Sequence, residues 1–164
     1  MATTTTANTE CFRIADQLRR AVEGDAWHGP AIRDLLVDVT AEQAFSRPLA
    51  AAHSIWELLL HIEAWEIVAL EAMKGTPMPH LPPEQDFPAI ADSSSAAWDA
   101  IQNSLFGTHA DLVHAVQNFG DARLKDTVPG RTYDFYQLLH GLAQHAIYHG
   151  GQVAILKKTL LTPA

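Results

Sequence analysis

The segment "HSIWELLLHIEAWEIVALEAMKG", residues 53–75, contains the most clearly marked helix in the chain. Ser54 and Glu57 have the S-x-x-E spacing of a capping box at its start, and Gly75 supplies a stop signal at its end. Apolar residues between these signals recur at spacings of three and four, which is the pattern of an amphipathic helix. The buried face of such a helix must be covered, so the rest of the chain has to supply packing partners.

Three other segments show the same apolar spacing, and together with the first they predict four long helices. These segments are residues 10–24, 92–119 and 135–158. A shorter helix is expected over about residues 31–39. Because no strand of useful length and no internal repeat is present, the pattern predicts an all-α, four-helix bundle. We expect a single domain over residues 1–164, with residues 1–8 as a flexible N-terminus.

A proline-rich segment separates the second long helix from the third. The sequence "TPMPHLPPEQDFPAI", residues 76–90, contains five prolines. Prolines at this density predict that the segment is not regular helix. Long loops in compact domains are often functional, so we expect this loop to border a site.

Composition and charge argue against several classes of protein. The chain has a formal net charge of −8 and no basic cluster beyond two pairs, which argues against nucleic-acid binding. It has no run of about 18 apolar residues, and residues 1–10 lack the features of a signal peptide. The single cysteine, Cys11, cannot form an internal disulfide and is expected to be a small core residue. We therefore expect a cytoplasmic protein without membrane or nucleic-acid partners.

Two of the predicted helices carry histidine inside an apolar stripe. At about 100° of rotation per residue, His149 lies about 40° from His145, and both fall among the leucines of the last helix. In the second long helix, His61 lies within about 60° of Leu58 and Trp65. An unpaired polar group on such a face costs about 1–3 kcal/mol, so each imidazole needs a partner.

Two kinds of partner remain open for these histidines. Hydrogen bonds to neighbouring groups would satisfy them as core residues, and nine histidines in one chain make an H-x-x-x-H spacing easy to meet by chance. Alternatively, His61, His145 and His149 converge on one divalent ion and leave a position open for water or substrate, as in catalytic zinc sites. The other six histidines are expected to be structural or exposed. They are His28, His53, His80, His109, His114 and His140.

Two motifs resemble those of a known family. "HSIWELLLHIEAWE" and "HAIYHGGQVAILKK" are similar to the two motif regions of the DinB-like superfamily, whose YfiT-type members are metal-dependent hydrolases. The spacing between His61 and His145 is also similar, and the likeness covers most of the chain. The resemblance implies a DinB-type four-helix bundle, often a homodimer, that binds nickel or zinc at positions matching His61, His145 and His149. It further implies a small-molecule substrate, which in some members is a low-molecular-weight thiol.

Three functional hypotheses follow from these observations. The first is an enzyme, a hydrolase or thiol-dependent transferase, in which the metal activates water or a thiol. Glu57 lies one turn before His61 and is a candidate general base or partner of a metal ligand, although its capping role already explains it and is the favoured interpretation. Tyr148 and Gln152 are candidates to contact a ligand or orient a histidine, with packing or surface placement as the alternative. The second hypothesis is a non-catalytic metal-binding stress-response protein, and the third is a metal-free interaction module.

Overall fold

The computed structural model describes residues 9–161, and every regular element in that range is a helix. The elements are α1 (Thr9–Glu23), α2 (Ile32–Leu36), α3 (Ala41–Phe45), α4 (Ile55–Met73), α5 (Pro83–Asp86), α6 (Ser95–Gln117), a 3-10 helix (Asp121–Lys125) and α7 (Phe135–Leu161). The all-α prediction is confirmed, and the expected flexible segment 1–8 lies outside the described residues. None of the helices in this range is long and apolar enough to span a bilayer.

The four long helices, α1, α4, α6 and α7, pack in a ring in which α6 and α7 each contact both α1 and α4. Their apolar stripes meet inside the ring, where Leu18 of α1, Leu59 of α4, Leu112 of α6 and Leu139 of α7 are fully buried. Packing of this kind supplies the main hydrophobic stabilisation of an all-α domain. It also makes α4 and α7, the two helices that carry the candidate histidines, direct neighbours.

Capping residues mark the starts of three long helices, and the start of α4 is the one that its capping box predicts. Ser54 Oγ accepts a hydrogen bond from the amide of Glu57, and the Glu57 carboxylate accepts one from the amide of Ser54 at 2.8 Å. Ser94 caps α6, and Asp134 caps α7 by accepting from the amide three residues further on. These side chains satisfy amides that the helix itself leaves unpaired.

The connecting segments contain more helix than the sequence pattern predicts. The helix expected over residues 31–39 stops short, and a separate helix, α3, starts at a capping box formed by Thr40 and Gln43. The prediction that the prolines of residues 76–90 exclude regular helix is wrong for one turn, α5. Pro83 occupies the first position of that turn, where its missing N–H has no partner to lose.

The only cysteine is a packing residue, as predicted. Cys11 is free and fully buried. Burial, together with the nearby Asp121 carboxylate, raises the pKa of its thiol to about 11. Because the thiolate is the reactive form, this side chain is a poor nucleophile at neutral pH.

A buried, hydrogen-bonded pair, His109 and Glu66, joins three of the long helices. His109 of α6 is fully buried, and its Nδ1 lies 2.7 Å from Oε1 of Glu66 on α4. Its Nε2 donates to the carbonyl of Leu18 on α1 at 3.1 Å. A carbonyl only accepts, so Nε2 carries a proton, and a second proton is shared between Nδ1 and Glu66. Burial raises the pKa of Glu66, and the hydrogen bond from His109 opposes that rise.

Removing one partner of this pair should destabilise the fold more than removing both. His109→Leu leaves the Glu66 carboxyl buried without its partner and should lower the free energy of unfolding by about 3–5 kcal/mol. Glu66→Leu combined with His109→Leu removes both polar groups and should recover part of that loss. Urea unfolding with a chelator present, followed by circular dichroism, measures each variant.

The matched control is His114→Leu, an exposed position on the same helix, which should change stability by no more than about 0.5 kcal/mol. Single-variant effects that simply add in the double variant would contradict a coupled pair.

Candidate metal centre

Three histidines from α4 and α7 meet where these helices pack together. One ring nitrogen from each of His61, His145 and His149 lies within 4.8 Å of the other two. His61 and His149 are only 6% and 7% exposed, and His145 is partly exposed. The structure therefore brings together the three histidines that the sequence singles out.

The proline-rich loop holds His61 in place. Nδ1 of His61 donates to the backbone carbonyl of Asp86 at 2.8 Å and lies 3.1 Å from Oδ1 of the same residue. Trp65 Nε1 donates to that Oδ1 at 2.8 Å. The Phe87 ring stacks on the imidazole of His61 with ring centroids 4.2 Å apart. The imidazole of His53 stacks on Phe87 in turn, with centroids 3.7 Å apart. These contacts set both the tautomer and the ring plane of His61.

His149 has a hydrogen-bond partner in Gln152. Gln152 Oε1 accepts from Nδ1 of His149 at 2.8 Å within α7. The proton on Nδ1 leaves Nε2 of His149 with a free lone pair. Tyr148, which is 65% exposed, places its ring near-perpendicular to that of His149 with centroids 4.9 Å apart.

Two ring nitrogens face each other across the site. Nε2 of His61 lies 2.9 Å from Nε2 of His145. Because His61 uses Nδ1 as a donor, its Nε2 presents a lone pair, and a proton or a cation must lie between two such nitrogens. Neutral imidazoles suit zinc and nickel. Bonds of about 2.0–2.1 Å to one ion allow at most about 4.2 Å between two nitrogens, so binding would draw nitrogens that lie up to 4.8 Å apart closer by a few tenths of an ångström. The residues therefore fit a divalent ion.

The histidine group has an open side. Among residues 9–161, no cysteine, aspartate or glutamate joins the three histidines as a further ligand. The group instead borders a cavity of about 550 Å³, formed by α4, α7 and the proline-rich loop. Structural zinc sites close with four protein ligands, whereas catalytic sites keep a position free. The three histidines alone would leave one position of a four-coordinate ion open.

The surroundings disfavour positive charge on these imidazoles. Burial, followed by the nearby His149 and His61, lowers the pKa of His145 to about 3. Burial also lowers the pKa of His149, and the hydrogen bond to Gln152 opposes that shift. Neutral imidazole is the form that binds metal, so at neutral pH His145 and His149 need not lose a charge to become ligands.

Glu57 does not line this cavity. Its carboxylate caps α4 through Ser54 and forms an ion pair with Arg47. Burial alone would raise the pKa of Glu57, but the hydrogen bonds from Arg47 and Ser54 outweigh burial, and the pKa is lowered. The contacts of Glu57 are those of a capping residue, and its role as a general base stays a prediction that no contact with the histidines supports.

The prediction that residues 76–90 border a site is confirmed, because Met78 and Asp86 line the cavity. The sequence did not indicate which loop residues turn inward, so Asp86 and Phe87 were missed. Helical spacing does indicate that Trp65 lies near the site, because it follows His61 by four residues and is therefore on the same helix face.

A family model described as the DinB superfamily matches residues 26–153, which is well over half of the chain. The matched region contains His61, His145 and His149. No curated protein and no solved structure matches the chain. The match confirms the superfamily that the two motifs predict, and the narrower YfiT type stays a prediction.

The depressed pKa of His145 predicts a loss of stability on acidification. In the metal-free folded protein His145 stays neutral down to about pH 3, whereas in the unfolded chain it gains a proton near its reference pKa of ~6.5. The unfolded state then binds more protons, so this stability is present above the unfolded pKa and is lost as the pH falls towards 3. Between pH 7 and pH 5 the loss from His145 should be about 2 kcal/mol.

The measurement is the free energy of unfolding at both pH values, with a chelator present, for the wild type and for His145→Phe. The variant lacks the titrating ring and should lose about 2 kcal/mol less on acidification. His114→Phe, at an exposed position, serves as the control and should follow the wild type. Equal losses in the wild type and His145→Phe would contradict the depressed pKa.

Proposed function

This chain belongs to the DinB superfamily, and from that premise we propose that it is a metal-dependent enzyme in which His61, His145 and His149 hold one divalent ion. The observation that carries the proposal is the convergence of three imidazoles beside an open cavity. When bound, such an ion lowers the pKa of water or of a thiol and so supplies a nucleophile near neutral pH. The proposed reaction is hydrolysis or thiol-dependent transfer on a small-molecule substrate.

The neighbouring residues have positioning roles in this proposal. Asp86 and Gln152 accept the Nδ1 protons of His61 and His149, which turns the Nε2 lone pairs towards the site and makes them more basic. Phe87 covers one face of His61 and keeps water from its ring. Tyr148 lines the cavity beside His149, where it can contact a bound ligand.

Nickel and zinc are the ions that we propose for this site. Imidazole suits both, and the three histidines include no thiolate or carboxylate that would favour another class of ion. The affinities of divalent metals for nitrogen ligands follow the same order in most proteins. The geometry of the site and the availability of each metal in the cell therefore decide between nickel and zinc.

A second candidate function is a non-catalytic metal-binding protein, including one with a role in stress responses. The observation that favours it is that His61 belongs to α4 whereas His145 and His149 belong to α7. An ion held by all three would cross-link two of the four long helices and stabilise the folded state by mass action.

Metal content tests the ligand set. Alanine in place of His61, His145 or His149 should lower the nickel or zinc bound per chain, because two imidazoles hold an ion less tightly than three. His145→Ala combined with His149→Ala should abolish binding, since one imidazole remains. Asp86→Asn should keep the ion and weaken its affinity by no more than about tenfold, because the backbone carbonyl still accepts the Nδ1 proton of His61 and only the negative charge of the side chain is lost.

Elemental analysis after dialysis measures occupancy, and competition with a chelator measures affinity. His114→Ala is the control, because this exposed histidine should leave metal content unchanged. Full occupancy in the double variant would overturn the assignment.

Turnover distinguishes the enzyme from the non-catalytic protein. Small thiols paired with electrophiles, and simple esters and amides, should react only when nickel or zinc is restored to the metal-free protein. The His145→Ala, His149→Ala variant should show background rates under the same conditions. Activity that persists in this variant with a chelator present would contradict the enzyme mechanism. Firm metal binding without turnover on any compound would favour the second candidate.

We further propose a homodimer located in the cytoplasm, where the free thiol of Cys11 fits a reducing compartment. Among residues 9–161, α6 has no exposed large apolar residue. The exposed ones on α7 are Tyr136, Ile147, Tyr148 and Ile155. We expect α7 to contribute to the interface, and light scattering at micromolar concentration should give twice the mass of the chain. A monomeric mass would contradict the dimer.

A further inference from the structure

We infer that the cavity beside the histidines takes a ligand whose body is uncharged and aromatic or apolar, attached to a single metal-binding atom. The inference rests on the proposed function, because the metal-binding atom presupposes an ion at the three histidines. It goes further by naming the chemical class of the ligand, which the ligand set alone does not decide.

The wall of the cavity carries no positive charge of its own. Of the residues in 9–161 that line it, none is lysine or arginine. Most of the wall away from the histidines is aromatic or aliphatic. These residues are Trp65, Met78, Tyr133, Leu138, Leu142 and Tyr148. The amides of Gln137 and Gln144 add neutral polar groups. A cavity of about 550 Å³ has the size and composition of a small-molecule site.

The charged groups near the wall already have partners. The Asp86 carboxylate accepts from Trp65 and faces the ring of His61. Arg131, two residues before the wall residue Tyr133, donates to the carbonyl of Pro79 at 2.5 Å and lies 3.0 Å from a ring nitrogen of His80. Nε of Arg131 has no hydrogen-bond partner, but it is buried, and Arg131 does not line the cavity.

These features make a charged ligand body unfavourable. A carboxylate or phosphate that contacts this wall would lose water without gaining a cationic partner, which is costly for a buried charge. The net charge of −8 on the chain adds long-range repulsion. An ammonium group on the ligand would instead be repelled by the divalent ion at short range. Thiols and esters with a neutral aromatic body remain, whereas thiols that carry several carboxylates or phosphates are disfavoured.

A matched pair of thiols tests the inference. The compounds are 4-(mercaptomethyl)benzamide and 4-(mercaptomethyl)benzoate, which share shape and thiol but differ in charge at the far end. Titration into nickel-loaded protein is followed by the thiolate-to-nickel absorption band, so that only ligands bound through sulfur are counted. We expect the amide to bind at least tenfold more tightly than the carboxylate.

A charge added to the wall should change this preference. Gln144→Arg places a cation at an exposed position of the wall and should reduce the preference for the amide at least threefold. Asn103→Arg on α6 is the control, because it makes the same change in net charge away from the cavity and should leave the preference unchanged.

A third arm separates this inference from the proposed function. The thiol-free pair 4-methylbenzamide and 4-methylbenzoate is titrated into metal-free protein and followed by nuclear magnetic resonance. If no ion binds to the histidines, the proposed function fails. Tighter binding of 4-methylbenzamide than of 4-methylbenzoate would still support a cavity that prefers an uncharged ligand. Equal or tighter binding of the carboxylates in both arms, or no binding by any compound of the series, would overturn the inference even when the ion is bound.

Discussion

The hydrogen bond from Nδ1 of His61 to the backbone carbonyl of Asp86 is the contact on which the rest of the site depends. It fixes the proton of the imidazole on the side away from α7, so the other nitrogen presents a lone pair towards His145 and His149. It also ties the proline-rich loop to α4 and places Phe87 against His61, while the amide of Met78, which lines the cavity, donates to the carbonyl of Pro129. Loop path and ligand orientation therefore share one cause.

Burial of histidine among four packed helices has two different outcomes in this protein. His109 has both ring nitrogens bonded to acceptors within the chain, a carboxylate and a carbonyl, so it is complete as a structural residue. His61 and His149 each have an oxygen acceptor at Nδ1 only. Their other nitrogens belong to the histidine group at the cavity. The same physical requirement, that a buried imidazole be satisfied, thus separates a stabilising pair from a candidate binding site.

Two of the three candidate metal ligands and much of the cavity wall belong to the same helix, α7. His145 and His149 lie near its middle, and the wall residues Leu142 and Leu138 lie about one and two turns before His145 on the same face. A ligand bound at the histidines therefore extends along the apolar surface of this helix towards Tyr133. The direction of that surface, rather than any charged group, sets the chemistry of the ligand that we propose.

Much of this protein is determined by local sequence. Capping residues and apolar spacing act over a few residues, so Ser54, Asp134 and the stripes of the four long helices predict the helices closely, and helical periodicity places His61, His145 and His149 on buried faces. The partners of those histidines are not local. His109 meets Glu66 across 43 residues, and His61 meets Asp86 across 25, because only the packing of α4 against its neighbours and the path of an irregular loop bring them together. A loop without periodicity gives no signal for which of its side chains turns inward, so the positions of Asp86 and Phe87 and the absence of lysine and arginine from the cavity wall were decided by the tertiary structure alone.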